Sequence, residues 1–238
     1  MTDHPNSPSI EPSPPTPEPP AKKPHAPQDQ RDANLINTYR TRLTAISGQT
    51  EAVASLRIRG YAETDFDEGF GACDLAQEKF NARQLAKDEK DAASTLLRRA
   101  EKAARTGYAD FSKIAAKVFK DNPTARAAVV IPSRLLTDQE KFRTNTTAAY
   151  NVVTTRVTYQ AALATRGYTA EAIQAEQAKL TALTQASAAH EAASQAATRA
   201  TAERRAAMKA LNTWWSEFNV TAKVALKDRP DLLGLLNA

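Results

Sequence analysis

The sequence is poorest in the residues that build disulfides, metal centres and enzyme sites. It has 1 cysteine, Cys73, so an internal disulfide framework and a cysteine-rich zinc site are both excluded. Of its 3 histidines only His190 lies beyond the first thirty residues. A di-iron bundle needs Glu-x-x-His on two helices, but Ser187 stands three places before His190. With only 7 glycines there is no phosphate-cradling loop, because Gly69-Phe-Gly71 sits inside a helix-like run rather than between strand and helix. No stretch approaches the run of roughly 18 apolar residues that spans a bilayer. Met1-Thr-Asp-His-Pro5 lacks the basic start and apolar core of a secretory leader. These absences give the expectation of a cytoplasmic, non-enzymatic protein with no catalytic residue, cofactor or metal. Non-classical export through the N-terminal segment stays open.

Proline is concentrated rather than scarce: ten of the 13 prolines fall within residues 1–30. Proline fixes φ and removes a donor, and this stretch holds almost nothing apolar to offset the entropy of ordering. Residues 1–31 are expected to form a disordered tail with polyproline II character. It reads as a solvated spacer, with a docking or address peptide as the alternative. Asp3, Glu11, Glu18, Asp29 and Asp32 against Lys22, Lys23 and Arg31 leave the first 32 residues at −2, so the rest carries +7 of the formal +5. That leans towards anionic partners without demanding one.

What is present, and organises everything after the tail, is a repetition. Tyr108-Ala-Asp-Phe111 through Lys120-Asp-Asn-Pro123 recurs as Trp215-Ser-Glu-Phe218 through Lys227-Asp-Arg-Pro230, 107 positions on. The same ungapped offset carries Leu56, Arg59, Gly60 and Tyr61 to Leu163, Arg166, Gly167 and Tyr168. The chain therefore reads as a tandem duplication, with one helical repeat over 32–131 and a second over 132–238.

Within each repeat the apolar spacing is helical. Leu35, Tyr39, Leu43, Ile46, Val53 and Leu56 predict one helix from about Asp32 to Arg59, ended by Gly60 in the left-handed region. Thr64 or Asp65 can cap the next. That helix follows a seven-residue seam from Phe66 towards Lys120, polar at Arg83, Lys87 and Lys90, with Gly107 as the expected break and Asn122-Pro123 as the end. Thr137-Asp-Gln-Glu140 is a capping-box sequence opening the second repeat, whose first helix runs to Gly167. Nothing interrupts Tyr168 to Arg229, enough for one helix of about 90 Å. The expected fold is all-α: two long helical hairpins in an elongated four-helix bundle, or up to six helices where the long ones break. Leu232, Leu233, Leu235 and Leu236 should dock back on it. The ending Lys227-Asp-Arg-Pro-Asp-Leu-Leu233 resembles bacterial helical proteins without assigned function, and the resemblance implies no activity.

Three constellations remain. Glu63, Asp65, Asp67 and Glu68 suit a hard cation, but carboxylates in a first turn already answer the helix dipole. Tyr108, Phe111, Trp215 and Phe218 read as core anchors shared between the repeats, leaving Trp214 on the surface. Arg98, Arg99, Lys102 and Arg105, with Arg199, Arg204, Arg205 and Lys209, form paired basic bands suited to phosphates. Solvated faces neutralised by Glu101 and Glu203 are the plainer explanation. The functional expectation is a helical scaffold or adaptor, open to self-association, whose protein partner the sequence does not name. The alternatives are nucleic-acid or other polyanion binding through the bands, and a component of a larger bacterial assembly addressed by its tail.

Overall fold

The computed structural model describes residues 28–236, and every regular element among them is helical. Residues 1–27 and 237–238, including nearly all of the segment expected to be disordered, lie outside the described residues. Residues 28–31 of that segment are instead the first turn of α1 (Gln28–Ser47). There follow α2 (Thr50–Ile58), α3 (Glu63–Val118), α4 (Pro123–Val129), α5 (Gln139–Thr155), α6 (Val157–Ala164), α7 (Ala170–Ala225) and α8 (Pro230–Leu233). Single 3-10 turns at Ser133–Leu135 and Gly234–Leu236 precede α5 and close the described chain.

Helices α3 and α7 are each 56 residues long and unbroken, about 84 Å at 1.5 Å per residue. The expected break at Gly107 does not occur. Glycine costs a helix about 1 kcal/mol, but Gly107 is buried with the Glu176 side chain laid directly over it, where a Cβ would collide. Gly69 is likewise buried beneath the Trp214 ring. Both glycines are in place for close approach. Trp214, expected on the surface, is half-buried and stacks on Phe218 at 5.1 Å between centroids.

The breaks fall in the helices expected to be continuous. The first interrupts 32–59 at Gln49 (φ −104°, ψ 107°), and the second stands at Arg156 (φ −110°, ψ 99°). Hydroxyl side chains lead into each: Ser47 donates to the Thr44 carbonyl at 3.2 Å, and Thr155 to the Asn151 carbonyl at 2.8 Å. Such bonds compete with the helix ladder and loosen a last turn. Gly60 (φ 90°) and Gly167 (φ 89°) then reverse the chain, with Tyr61 N–H donating to the Leu56 carbonyl and Tyr168 N–H to that of Leu163.

Caps adjust the remaining boundaries. Asp138, not Thr137, caps α5 by accepting from Lys141 N–H at 2.7 Å. Neither Thr64 nor Asp65 is the first residue outside α3. Asp65 sits in its first turn and accepts from Ala62 N–H at 2.6 Å. Thr169 caps α7. The long helix stops at Val118, short of the expected end at Asn122-Pro123, which instead opens α4, with the Asn122 side chain accepting from Ala125 N–H at 2.9 Å and proline at the first turn.

α3 and α7 run antiparallel as a stalk, with Gly69 beside Trp214, Lys79 beside Glu203 and Gly107 beside Glu176. A core closes each end. At one, Leu43, Ile46, Leu56 and Phe66 surround Trp215 and Phe218, and Leu232 and Leu236 dock back on them. At the other, Phe142, Tyr150, Leu163 and Ile173 surround Tyr108 and Phe111. The four aromatic anchors are all buried, but they are not shared: the antiparallel stalk places each pair at opposite ends. Tyr108 also accepts from Ile131 N–H at 2.8 Å and donates to the Val129 carbonyl at 3.2 Å, which ties down the segment after α4.

Candidate interaction surface

Helix α1 lies along one face of the stalk, antiparallel to α3 and parallel to α7. Arg40 pairs with Asp74 and Arg83 with Asp29 on the α3 side, while Tyr39 stacks on Trp215 at 4.4 Å on the α7 side. The first two turns of α1 carry a clasp. Arg204, 5% exposed, is salt-bridged to Asp32, 7% exposed, and lies 3.7 Å from Asp29, which also bonds Arg83 at 2.5 Å. Burial alone would raise the Asp29 pKa. The hydrogen bond and charge of Arg83, the Gln84 amide and the Arg204 charge outweigh it and hold the carboxyl below its usual value. A cleft of about 920 Å³ opens beside the clasp, with Arg205, Lys209 and Asn212 on its α7 wall.

The clasp changes the reading of the basic bands. Arg204 is not a surface cation, since its charge is spent on α1. Arg105 bonds Glu101 at 2.8 Å, donates to the Leu136 carbonyl at 3.0 Å and covers the Phe142 ring at 4.6 Å. Glu203, expected to neutralise the second band, pairs with Lys79 at 3.6 Å. Arg98, Arg99, Lys102, Arg199, Arg205 and Lys209 are exposed. The antiparallel register puts Arg205 and Lys209 near the level of Lys79, and Arg98 and Arg99 about 30 Å along the stalk. The bands therefore do not meet in one patch.

Between the N-terminus of α1, at the level of Arg83, and the segment before α5, at the level of Arg105, the stalk is two helices thick. From Arg83 to Ala103 only Ala86 is buried, and from Thr184 to Glu203 no residue is. The face that continues the α1 side is polar, with Lys87, Asp91, Ser94 and Arg98 on α3 and Ser187, Glu191, Ser194 and Thr198 on α7. The opposite, outer face carries the exposed leucines of the stalk, while Ile58 and Val157 are exposed outside it. There α3 presents Leu75 (44% exposed), Leu85 (61%) and Leu96 (58%), three helical turns apart, with Ala82, Ala92 and Ala103 along the same strip. At matching positions α7 presents Ala182, Ala189, Ala192 and Ala196, then Ala206 and Ala210, all exposed. Polar residues interrupt the strip at Glu78, Glu89 and Arg99 on α3 and at Gln185, Arg199 and Glu203 on α7. Sequence reasoning passed over this face because it followed the seven-residue seam, which lies on the inner side of each long helix. The leucine spacing was the available signal.

Other candidates fall elsewhere. Glu63, Asp67 and Glu68 are exposed at the start of α3, and among the described residues no group of three His, Cys, Asp or Glu side chains is placed to share an ion. His190 is half-buried in the seam, and Cys73 is buried with its thiol pKa raised by desolvation. At the far lobe, Glu176 bonds Lys179 at 2.7 Å while its other oxygen and the Tyr150 hydroxyl find no partner among the described residues. Burial first, and then the Glu176 charge, push the Tyr150 phenol far up. No helix among the described residues is long and apolar enough to cross a membrane. Compared with known proteins, the chain matches no protein family, no curated protein and no solved structure.

Proposed function

We propose that the protein is a non-enzymatic helical scaffold or adaptor that works through contacts made along the outer face of its stalk. The observation that carries this reading is the unequal chemistry of the two stalk faces. Exposed alanines alone need no explanation, because alanine is the best helix former. Leucines about half exposed or more, in register with one another and confined to the side away from α1, are costly to leave in water. The same reading takes the chain as a tandem duplication. In its favour, α3 and α7 start and stop 107 positions apart, as do the extended residues Gln49 and Arg156 and the positive-φ residues Gly60 and Gly167.

Polyanion binding is the weaker reading, since Arg204 and Arg105 are engaged and the remaining cations form two separate groups. Cross-linking mass spectrometry on the full chain in extract of its native host tests the choice. Scaffold contacts should map protein partners to Leu85, Leu96 and the facing alanines of α7. Salt-sensitive co-purification of nucleic acid, lost when Arg98, Arg99, Arg199 and Arg205 become glutamine, with no protein cross-linked to the outer face, would reverse it.

A further inference from the structure

We infer that the outer face of the stalk is covered by a second copy of this chain, rotated by a half-turn about the long axis of the stalk. This rests on the scaffold reading and names the partner of its surface. The middle of the stalk has almost no core of its own: over some twenty residues of each helix, Ala86 is the single buried apolar side chain. Two alanine-rich helices alone remove little area from water, so this stretch gains more from a covering partner than either lobe does.

The two helices are complementary to each other across that face. Over this strip the large apolar residues stand on α3, and the exposed apolar residues of α7 from Ala182 to Ala210 are all small, Val220 and Val224 lying beyond it. A half-turn about the long axis lays α3 of each copy over α7 of the other while preserving height along the stalk. The register given by Gly69 with Trp214 and Gly107 with Glu176 then sets Leu75 opposite Ala206 and Ala210. It sets Leu85 between Ala196 and Arg199, and Leu96 opposite Ala189 with Gln185 one turn further on. Large-over-small facing positions let helix pairs interdigitate at even spacing. The interrupting Glu78, Glu89, Arg99, Gln185, Arg199 and Glu203 have stems long enough to carry their polar ends to the rim. Turning the second copy end over end would instead stack leucine on leucine along one side and alanine on alanine along the other, forcing the two stalks to tilt apart. The polar face, with Lys87, Asp91, Ser94, Arg98 and the facing serines, has no such self-complementarity.

The area is sufficient. From Leu75 to Ala103 the strip is about 42 Å long, and two helices side by side make it roughly 18 Å wide. Covering it buries on the order of 750 Å² per copy and about 1,500 Å² in all, the size of an ordinary stable interface. The half-turn also turns a two-helix section into a four-helix one, with the lobes and α1 outside it.

Sedimentation analysis of the purified full chain decides the point, over roughly 1–100 µM, where an interface of this size should be populated. The parent should shift from the 25.8 kDa monomer to twice that mass as concentration rises. Leu85→Glu with Leu96→Glu should shift the midpoint at least tenfold upward with helix content unchanged, since both side chains are already exposed. A bismaleimide joining Leu96→Cys of one chain to Ala189→Cys of another should give a covalent dimer, and Leu75→Cys mixed with Leu96→Cys should give little. A parent that stays monomeric throughout overturns the second copy. If such a monomer still cross-links other proteins at Leu85 and Leu96, the scaffold reading stands with a different occupant. If the outer face cross-links nothing, both fail. Efficient coupling of Leu75→Cys of one chain to Leu96→Cys of another overturns the half-turn in favour of the end-over-end arrangement.

Discussion

At one end of the stalk the position facing α1 is Arg204, buried against Asp32 and Asp29. At the other end, 107 positions earlier, it is Leu97, and the positions 107 beyond Asp32 and Asp29 are Gln139 and Leu136. Leu97 and Leu136 pack against the apolar core there, and Gln139 Nε2 is buried with no partner among the described residues. The glycines differ in the same manner. Gly69 admits the aromatic ring of Trp214, whereas Gly107 admits the carboxylate of Glu176. One backbone arrangement is thus held by a charged clasp and an aromatic plug at one end, and by apolar packing and a charged plug at the other. A buried ion pair is weak evidence of stability, because desolvation cancels much of the attraction. The best-attested use of such a pair is to set a register, here that of α1 against α7. The clasp therefore fixes where α1 begins, next to residues 1–27.

The largest effects should be equal at the two ends. Phe111 contacts the rings of Tyr108, Tyr150 and Tyr168, and Phe218 those of Tyr61, Phe66, Trp214 and Trp215. Phe111→Ala and Phe218→Ala should each cost about 3–5 kcal/mol in urea unfolding. Near-parental midpoints for both would show that neither ring anchors a core.

The comparison breaks at the clasp. Arg204→Ala leaves the buried Asp32 without a cation, while Asp29 keeps Arg83, and should cost about 3–5 kcal/mol. Arg204→Leu combined with Asp32→Gln and Asp29→Leu copies the other end and should return stability to within about 1 kcal/mol of the parent, or above it. Thermal melts of the single and triple variants check this. A triple variant as unstable as Arg204→Ala would mean that the two ends are not interchangeable.

Much of this was legible from residues alone, for reasons that differ by element. Gly60 and Gly167 could be placed because a left-handed residue has few alternatives to glycine. The long helices could be traced because their apolar spacing persists. The breaks at Gln49 and Arg156 could not, since the hydroxyl bonds that precede them recur inside the unbroken α3 and α7 and so mark no break by themselves. Gly107 misled for the opposite reason. Its helix penalty is local and visible, while the Glu176 side chain that justifies it lies 69 residues away. Arg204 was grouped with its neighbours as a surface charge because its partners Asp29 and Asp32 fell at the edge of the segment expected to be disordered.

The plugs should differ in tolerance. Gly69→Ala drives a methyl into the rigid Trp214 ring, which is itself stacked on Phe218, and should cost about 1–3 kcal/mol. Gly107→Ala displaces only the end of the flexible Glu176 side chain, and the gain in helix propensity of about 1 kcal/mol offsets much of that. Chemical unfolding should rank Gly69→Ala well below Gly107→Ala. The reverse order would mean that the Glu176 carboxylate is the tighter fit.

The smallest effect is the response to acid, and it should appear at one end only. The Asp29 carboxyl has its pKa lowered in the folded chain, so its contribution is fully present above the unfolded value of about 3.9. It is lost as the pH falls through the lower folded value. Arg83 and Arg204 stay charged throughout, so protonating Asp29 removes attraction and leaves two cations near one another at the start of α1. Amide exchange should therefore rise in the first turns of α1 below about pH 4, while the start of α5 stays protected. Salt should act in the same direction more weakly, because the Asp29 side chain is partly exposed and screened. In the triple variant the acid response of α1 should vanish, since no clasp remains to titrate. Equal loss of protection at α1 and α5 on acidification, with the triple variant unchanged from the parent, would place the acid sensitivity outside the clasp.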